Sequence, residues 1–150
     1  MQYSEGRLGR VFVIRLEDGE DLIRSIQQFV EELDVTTGLI HFLGALKEGR
    51  LIAGPKEPTI PPGPPFVEEL GGAWETFGVA SVYPGDEGKP SLHIHASAGH
   101  SDRSVTGCLR ERGTTYLVVE AVIFEFLELE ANREIDERSG LRLPVLKERL

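Results

Sequence analysis

Cysteine, methionine and tryptophan each occur once in 150 residues. The lone cysteine, Cys108, cannot form an intramolecular disulfide, so cross-links do not hold this fold together, and the chain suits a reducing compartment. Asparagine and glutamine are also scarce, a composition typical of heat-adapted proteins. No apolar stretch approaches the roughly 20 residues that a membrane span needs. The start, Met1-Gln2-Tyr3-Ser4-Glu5, lacks the basic-then-apolar layout of a secretion signal. A cytoplasmic protein without membrane contact is therefore expected. Positive charge is short too: 16 Lys and Arg face 25 Asp and Glu, a net −9, which disfavours holding nucleic acid by phosphate neutralisation. A local basic patch from Arg103, Arg110 and Arg112 is still open. No internal repeat, P-loop or glycine-rich dinucleotide fingerprint is present.

What is present suffices for one domain spanning 1–150, with 40% hydrophobic and 27% charged residues. Arg10 to Leu16 alternates like a buried strand, with Arg15 inside it needing a partner, an interface or an edge facing water. Asp18-Gly19-Glu20-Asp21 reads as a helix start with Asp18 as N-cap. Leu22, Ile23, Ile26, Phe29, Val30 and Leu33 then form one apolar stripe. Gly38 to Gly54 reads as a hairpin with Glu48-Gly49 at its tip, and His41 within it as a packed or hydrogen-bonded residue. Six prolines between Pro55 and Pro65 make 55–65 an extended loop. The second half is strand-rich, broken at Pro84-Gly85-Asp86 and Arg112-Gly113, with Leu117 to Phe124 a central strand. A charged C-terminal arm, 131–150, follows.

The segment Ser91-Leu92-His93-Ile94-His95-Ala96 carries the chemistry. Residues two apart on a strand share a face, so His93 and His95 can converge on one ion. An antiparallel hairpin turning between Ser101 and Asp102 would set Cys108 opposite His95. Two imidazoles and a thiolate suit zinc, with a fourth position left open. The alternative is two half-buried polar histidines beside a small core cysteine.

In order along the chain stand a strand containing an arginine, D-G-E-D-L and a helix, G-L-I-x-x-x-G-A-L, L-H-I-H and T-G-C-L. Together they resemble the plant and prokaryote conserved (PPC) domain, also found in AT-hook nuclear-localised proteins, from about Arg10 to Leu143. The resemblance implies an α+β fold: a mostly antiparallel sheet of about seven strands, one main flanking helix, and a homotrimer. Prokaryotic members carry H-x-H followed by G-G-H-L, whose three histidines look like zinc ligands. In Thr106-Gly107-Cys108-Leu109 a cysteine replaces the last histidine, which implies one zinc per chain on His93, His95 and Cys108. Glu75 matches a glutamate of the family that could orient an imidazole or act as general base on a metal-bound water. It could equally be a carboxylate paired with an arginine such as Arg15.

Two functions follow as expectations. One is a metal-binding homotrimeric assembly module of a family associated with DNA binding and regulation, meeting protein partners. The other is a zinc-dependent enzyme with Glu75 as base. Direct DNA contact is possible by family but opposed by charge. The chain has no R-G-R-P hook, Gly6-Arg7-Leu8-Gly9-Arg10 being the nearest approach.

Overall fold

The computed structural model describes residues 1–147. Seven strands and one α-helix occur among them, in the order β1 (Arg7–Glu17), α1 (Leu22–Glu32), β2 (Gly38–Pro55), β3 (Pro65–Pro84), β4 (Pro90–His100), β5 (Arg103–Leu127), β6 (Ala131–Ile135) and β7 (Arg142–Leu146). The expected antiparallel sheet with one flanking helix is what forms. No helix among the described residues is long and apolar enough to cross a membrane.

The main sheet runs β1-β5-β2-β3-β4, and its far strand β4 also pairs with the first part of β5. Twenty-five residues of β5 thus serve two ends of the sheet: Arg103–Cys108 pair with β4, and Val118–Leu127 with β1. Two non-glycine residues with positive φ, Glu111 (66°) and Leu117 (61°), mark the bends, as bulges do in a strongly curved sheet. The run Leu117–Phe124 is central as expected, lying between β1 and β2.

One sheet face carries the core. Phe12, Ile14 and Leu16 lie across from Ile123, Ala121 and Val119, and Ile40, Ala80 and Ile94 continue one row. Leu22, Ile26 and Val30 of α1 are fully buried over this face, each stabilising by about 2 kcal/mol on area grounds. Phe29 stacks edge-on against Phe12, centroids 5.3 Å apart. Leu33, the last residue of the expected stripe, is instead the helix C-cap and partly exposed.

Several local expectations give way. Asp21, not Asp18, caps α1: its Oδ1 accepts from Arg24 N at 2.9 Å, while Oδ2 accepts from Gly113 N at 2.9 Å. Asp18 is engaged elsewhere, accepting from Leu117 N at the β5 bend and from Lys47. Glu48-Gly49 is not a hairpin tip, because β2 runs through it to Pro55. Gly49 packs closely there, where a Cβ would stand 3.1 Å from Leu70 Cδ1. Arg112-Gly113 likewise lies within β5. Between β2 and β3, whose ends pair at Pro55 and Pro65, the proline-rich segment forms the connecting loop. The arm contains a separate two-stranded sheet, β6-β7, and its last residues, 148–150, lie outside the described ones.

Candidate metal centre

β4 and β5 meet in the hairpin read from the sequence, turning at Ser101-Asp102, with His95 directly opposite Cys108. Alternation along β4 buries Ile94, Ala96 and Ala98 against the core. His93 and His95 are thereby turned to the other face. Gly107 lets β5 approach β2 here, since a Cβ on it would lie 2.6 Å from the Ile52 carbonyl oxygen. The neighbouring Cys108, opposite Ile52 in register, is thus fixed in height against both histidines.

The three side chains converge. His93 Nε2 is 3.0 Å from Cys108 Sγ, His95 Nε2 is 3.1 Å from His93 Nε2, and Sγ is 3.2 Å from His95 Nε2. Burial, reinforced by the charges of Arg133, His95 and Arg110, pushes the His93 imidazole down to about 4. Near neutral pH it is uncharged, with a ring lone pair to donate. Bond lengths of about 2.0 Å to nitrogen and 2.3 Å to sulfur at tetrahedral angles would set such donors about 3.3 to 3.6 Å apart. The cluster therefore fits one small ion after opening by a few tenths of an ångström, and its soft thiolate with two imidazoles suits zinc.

Glu75 is not brought to this cluster. It is exposed and stands opposite Gly99, four residues along β3 from Val79, the partner of His95. The strand rise makes that separation about 13 Å, too far for proton transfer to anything held at the donors. Nor does Glu75 meet Arg15, which is exposed and forms an ion pair with Glu17 at 3.2 Å. His41 is exposed, its ring edge-on to Phe124. The basic patch does not form either: Arg103 pairs with Glu68 and Arg112 with Glu69, while Arg110 leans toward Cys108 Sγ at 3.8 Å.

One neighbour escaped sequence reading. Arg133 of β6 is 6% exposed and donates to Ser81 Oγ at 2.7 Å, and Ser81 is the β3 partner of His93. Its guanidinium also lies over the Tyr83 ring, 5.4 Å from the centroid. The alternation of Ala131 and Arg133 against Asn132 and Glu134 was the available signal, but nothing local ties β6 to β3.

The profile of the plants and prokaryotes conserved (PCC, also written PPC) domain matches residues 3–127. The chain belongs to that family. Curated proteins yield no match by sequence. Solved structures do match: a metal-containing protein from Archaeoglobus fulgidus is 26% identical, with a TM-score of 0.83 over 97% of this chain and 99% of its own. A PPC protein from Pyrococcus horikoshii is 25% identical, with a TM-score of 0.78 over 95% and 96%. A candidate DNA-binding protein from Bacteroides thetaiotaomicron shares the fold at 17% identity, TM-score 0.74, over 97% and 99%.

Proposed function

We propose that this PPC domain is a cytoplasmic metal-binding assembly module that holds one zinc per chain on His93, His95 and Cys108 and works as a homotrimer. The observation that carries the metal reading is the mutual approach of three donor atoms within 4.8 Å. The metal-containing relative from Archaeoglobus fulgidus supports it. Zinc there would supply a Lewis-acidic centre with one position that these three side chains do not fill.

Self-association is supported by the sheet face opposite the helix. Val11, Val13, Leu43, Phe77 and Val79 are 51%, 77%, 58%, 66% and 40% exposed, and cross-strand pairing puts them on the same face as the donors. A bare apolar face of this kind marks an interaction site, and further copies of this chain are its occupant. Relatives of the same fold include candidate DNA-binding proteins. With −9 per chain, a regulatory role at DNA would run through partner proteins rather than through phosphate contacts of its own.

Elemental analysis and light scattering of the purified protein test both halves. One zinc per chain and a mass near three times 16.6 kDa are expected, with metal lost in Cys108→Ser and in His93→Ala. A metal-free protein that takes up no added zinc overturns the first half, and a 16.6 kDa species overturns the second.

A further inference from the structure

Among the described residues two charged side chains are buried, and only one of them meets an opposite charge. Glu125, 6% exposed, accepts from Arg10 Nε at 2.8 Å and from Arg10 Nη2 at 2.6 Å. Arg133 is equally buried, yet its guanidinium finds only the neutral Ser81 hydroxyl and the Tyr83 ring, and its Nε–H is buried without a partner. A buried cation with an unfilled donor is costly unless an anion meets it.

The surroundings deepen the imbalance. Ser81, which Arg133 grips, faces His93 across the β3–β4 pair, and the second guanidinium, Arg110, reaches to within 3.8 Å of Cys108 Sγ. The charged and polar groups that act most on His93 are Arg133, His95 and Arg110, and those on Arg133 are Tyr83, Arg110 and Cys108. No carboxylate is among them, although the chain as a whole is strongly acidic. A divalent cation on the three donors would add two more positive charges against one thiolate. Arg133 also lines an open cavity of about 550 Å³ with Asn132, Glu134, Arg142 and the Pro84–Gly88 turn, whose Asp86 carboxylate is already held by Arg142.

We propose that Arg133 and Arg110 bind a small oxyanion, the phosphate or carboxylate group of a soluble molecule, against the His93–His95–Cys108 cluster. The planar fork of Arg133 supplies paired N–H donors of the kind that match two oxygens of such a group. Arg110, beside Cys108 Sγ, supplies the second positive charge. This inference rests on the metal reading above and extends it to a ligand. Arg110 lies within residues 3–127 that match the family, and Arg133 lies beyond them in the C-terminal arm.

Cobalt(II) substitution provides a test, because the visible spectrum of cobalt on a thiolate and two imidazoles responds to a ligand arriving beside it. The loaded full-length protein is titrated separately with inorganic phosphate and with acetate, which distinguishes the two sources of oxyanion. Saturable spectral change with at least one of them is expected. The apparent affinity should be weakened about tenfold in Arg110→Gln and in Arg133→Gln, the loss of one charge-assisted contact, and partly recovered in Arg133→Lys. Arg110 is exposed, so its variant reports even if Arg133→Gln fails to fold. A cobalt spectrum that ignores both anions, or that responds equally in wild type and Arg110→Gln, overturns the anion site while leaving the metal reading intact. Absence of any cobalt spectrum sinks the metal reading and this inference with it.

Discussion

The two faces of the main sheet are built from the same strands by the same alternation, yet they have opposite fates. On one, Ile40, Ala80, Ile94 and Ile123 lie beneath α1 at 0 to 3% exposure. On the other, Val13, His41, Val79, His95 and Cys108 form a single cross-strand row that nothing in the chain covers to the same degree. The core resides on the first face, and the candidate metal donors and the unmet apolar surface on the second. A sheet can carry a cluster of candidate metal donors at this position because the exposed neighbours there bury little surface in the single chain.

That contrast can be broken by substitution. The largest effect is expected from Ile123→Ala on the covered face, a loss of about 3 to 4 kcal/mol in urea unfolding; a loss below about 1 kcal/mol would mean that Ile123 is not part of the core. Next comes Gly107→Ala, which forces a methyl against the Ile52 carbonyl and should cost about 1 to 3 kcal/mol as overpacking does. It should also displace Cys108, so metal content ought to fall with stability.

A smaller effect, about 2 kcal/mol, is expected from Glu125→Gln, which breaks a hydrogen-bonded charge pair. Arg10 holds the Glu125 carboxyl below its ordinary 4.5 against the opposing effect of burial. The stabilisation is therefore present above pH 4.5 and is lost as pH falls below that value through the depressed one. Wild type should show this acid-side loss in thermal melts, and the variant should show less of it. Smallest on the single-chain scale is Val13→Asp on the bare face, within about 0.5 kcal/mol for an exposed site. Its signature is association: light scattering should show smaller particles, and an unchanged mass would remove this face from the interface.

Much of this arrangement was legible from residue order. Period-two alternation from Leu92 to Ala96 and the Ser101-Asp102 turn were enough to place Cys108 opposite His95, because register in a tight hairpin is arithmetic. The helix stripe was equally readable. Asp18 was misread as the cap because two aspartates three residues apart are both competent, and only the β5 bend at Leu117 claims one of them. Glu48-Gly49 was misread as a turn because a glycine inside a strand, packed close to Leu70, looks in sequence like one needed for chain reversal.

Arg133 marks the boundary of what local pattern can carry. Nothing near it in the chain announces that β6 will set its guanidinium on Ser81, 52 residues away, or leave its Nε–H unmet. The sequence by itself determined the helix, the β4–β5 hairpin and which of their side chains share a face, since these follow from backbone periodicity and hydrophobic spacing. Only the tertiary structure decided which charges meet, which donors stay unpaired and which apolar face is left bare, because those depend on distances between segments that no spacing along the chain encodes.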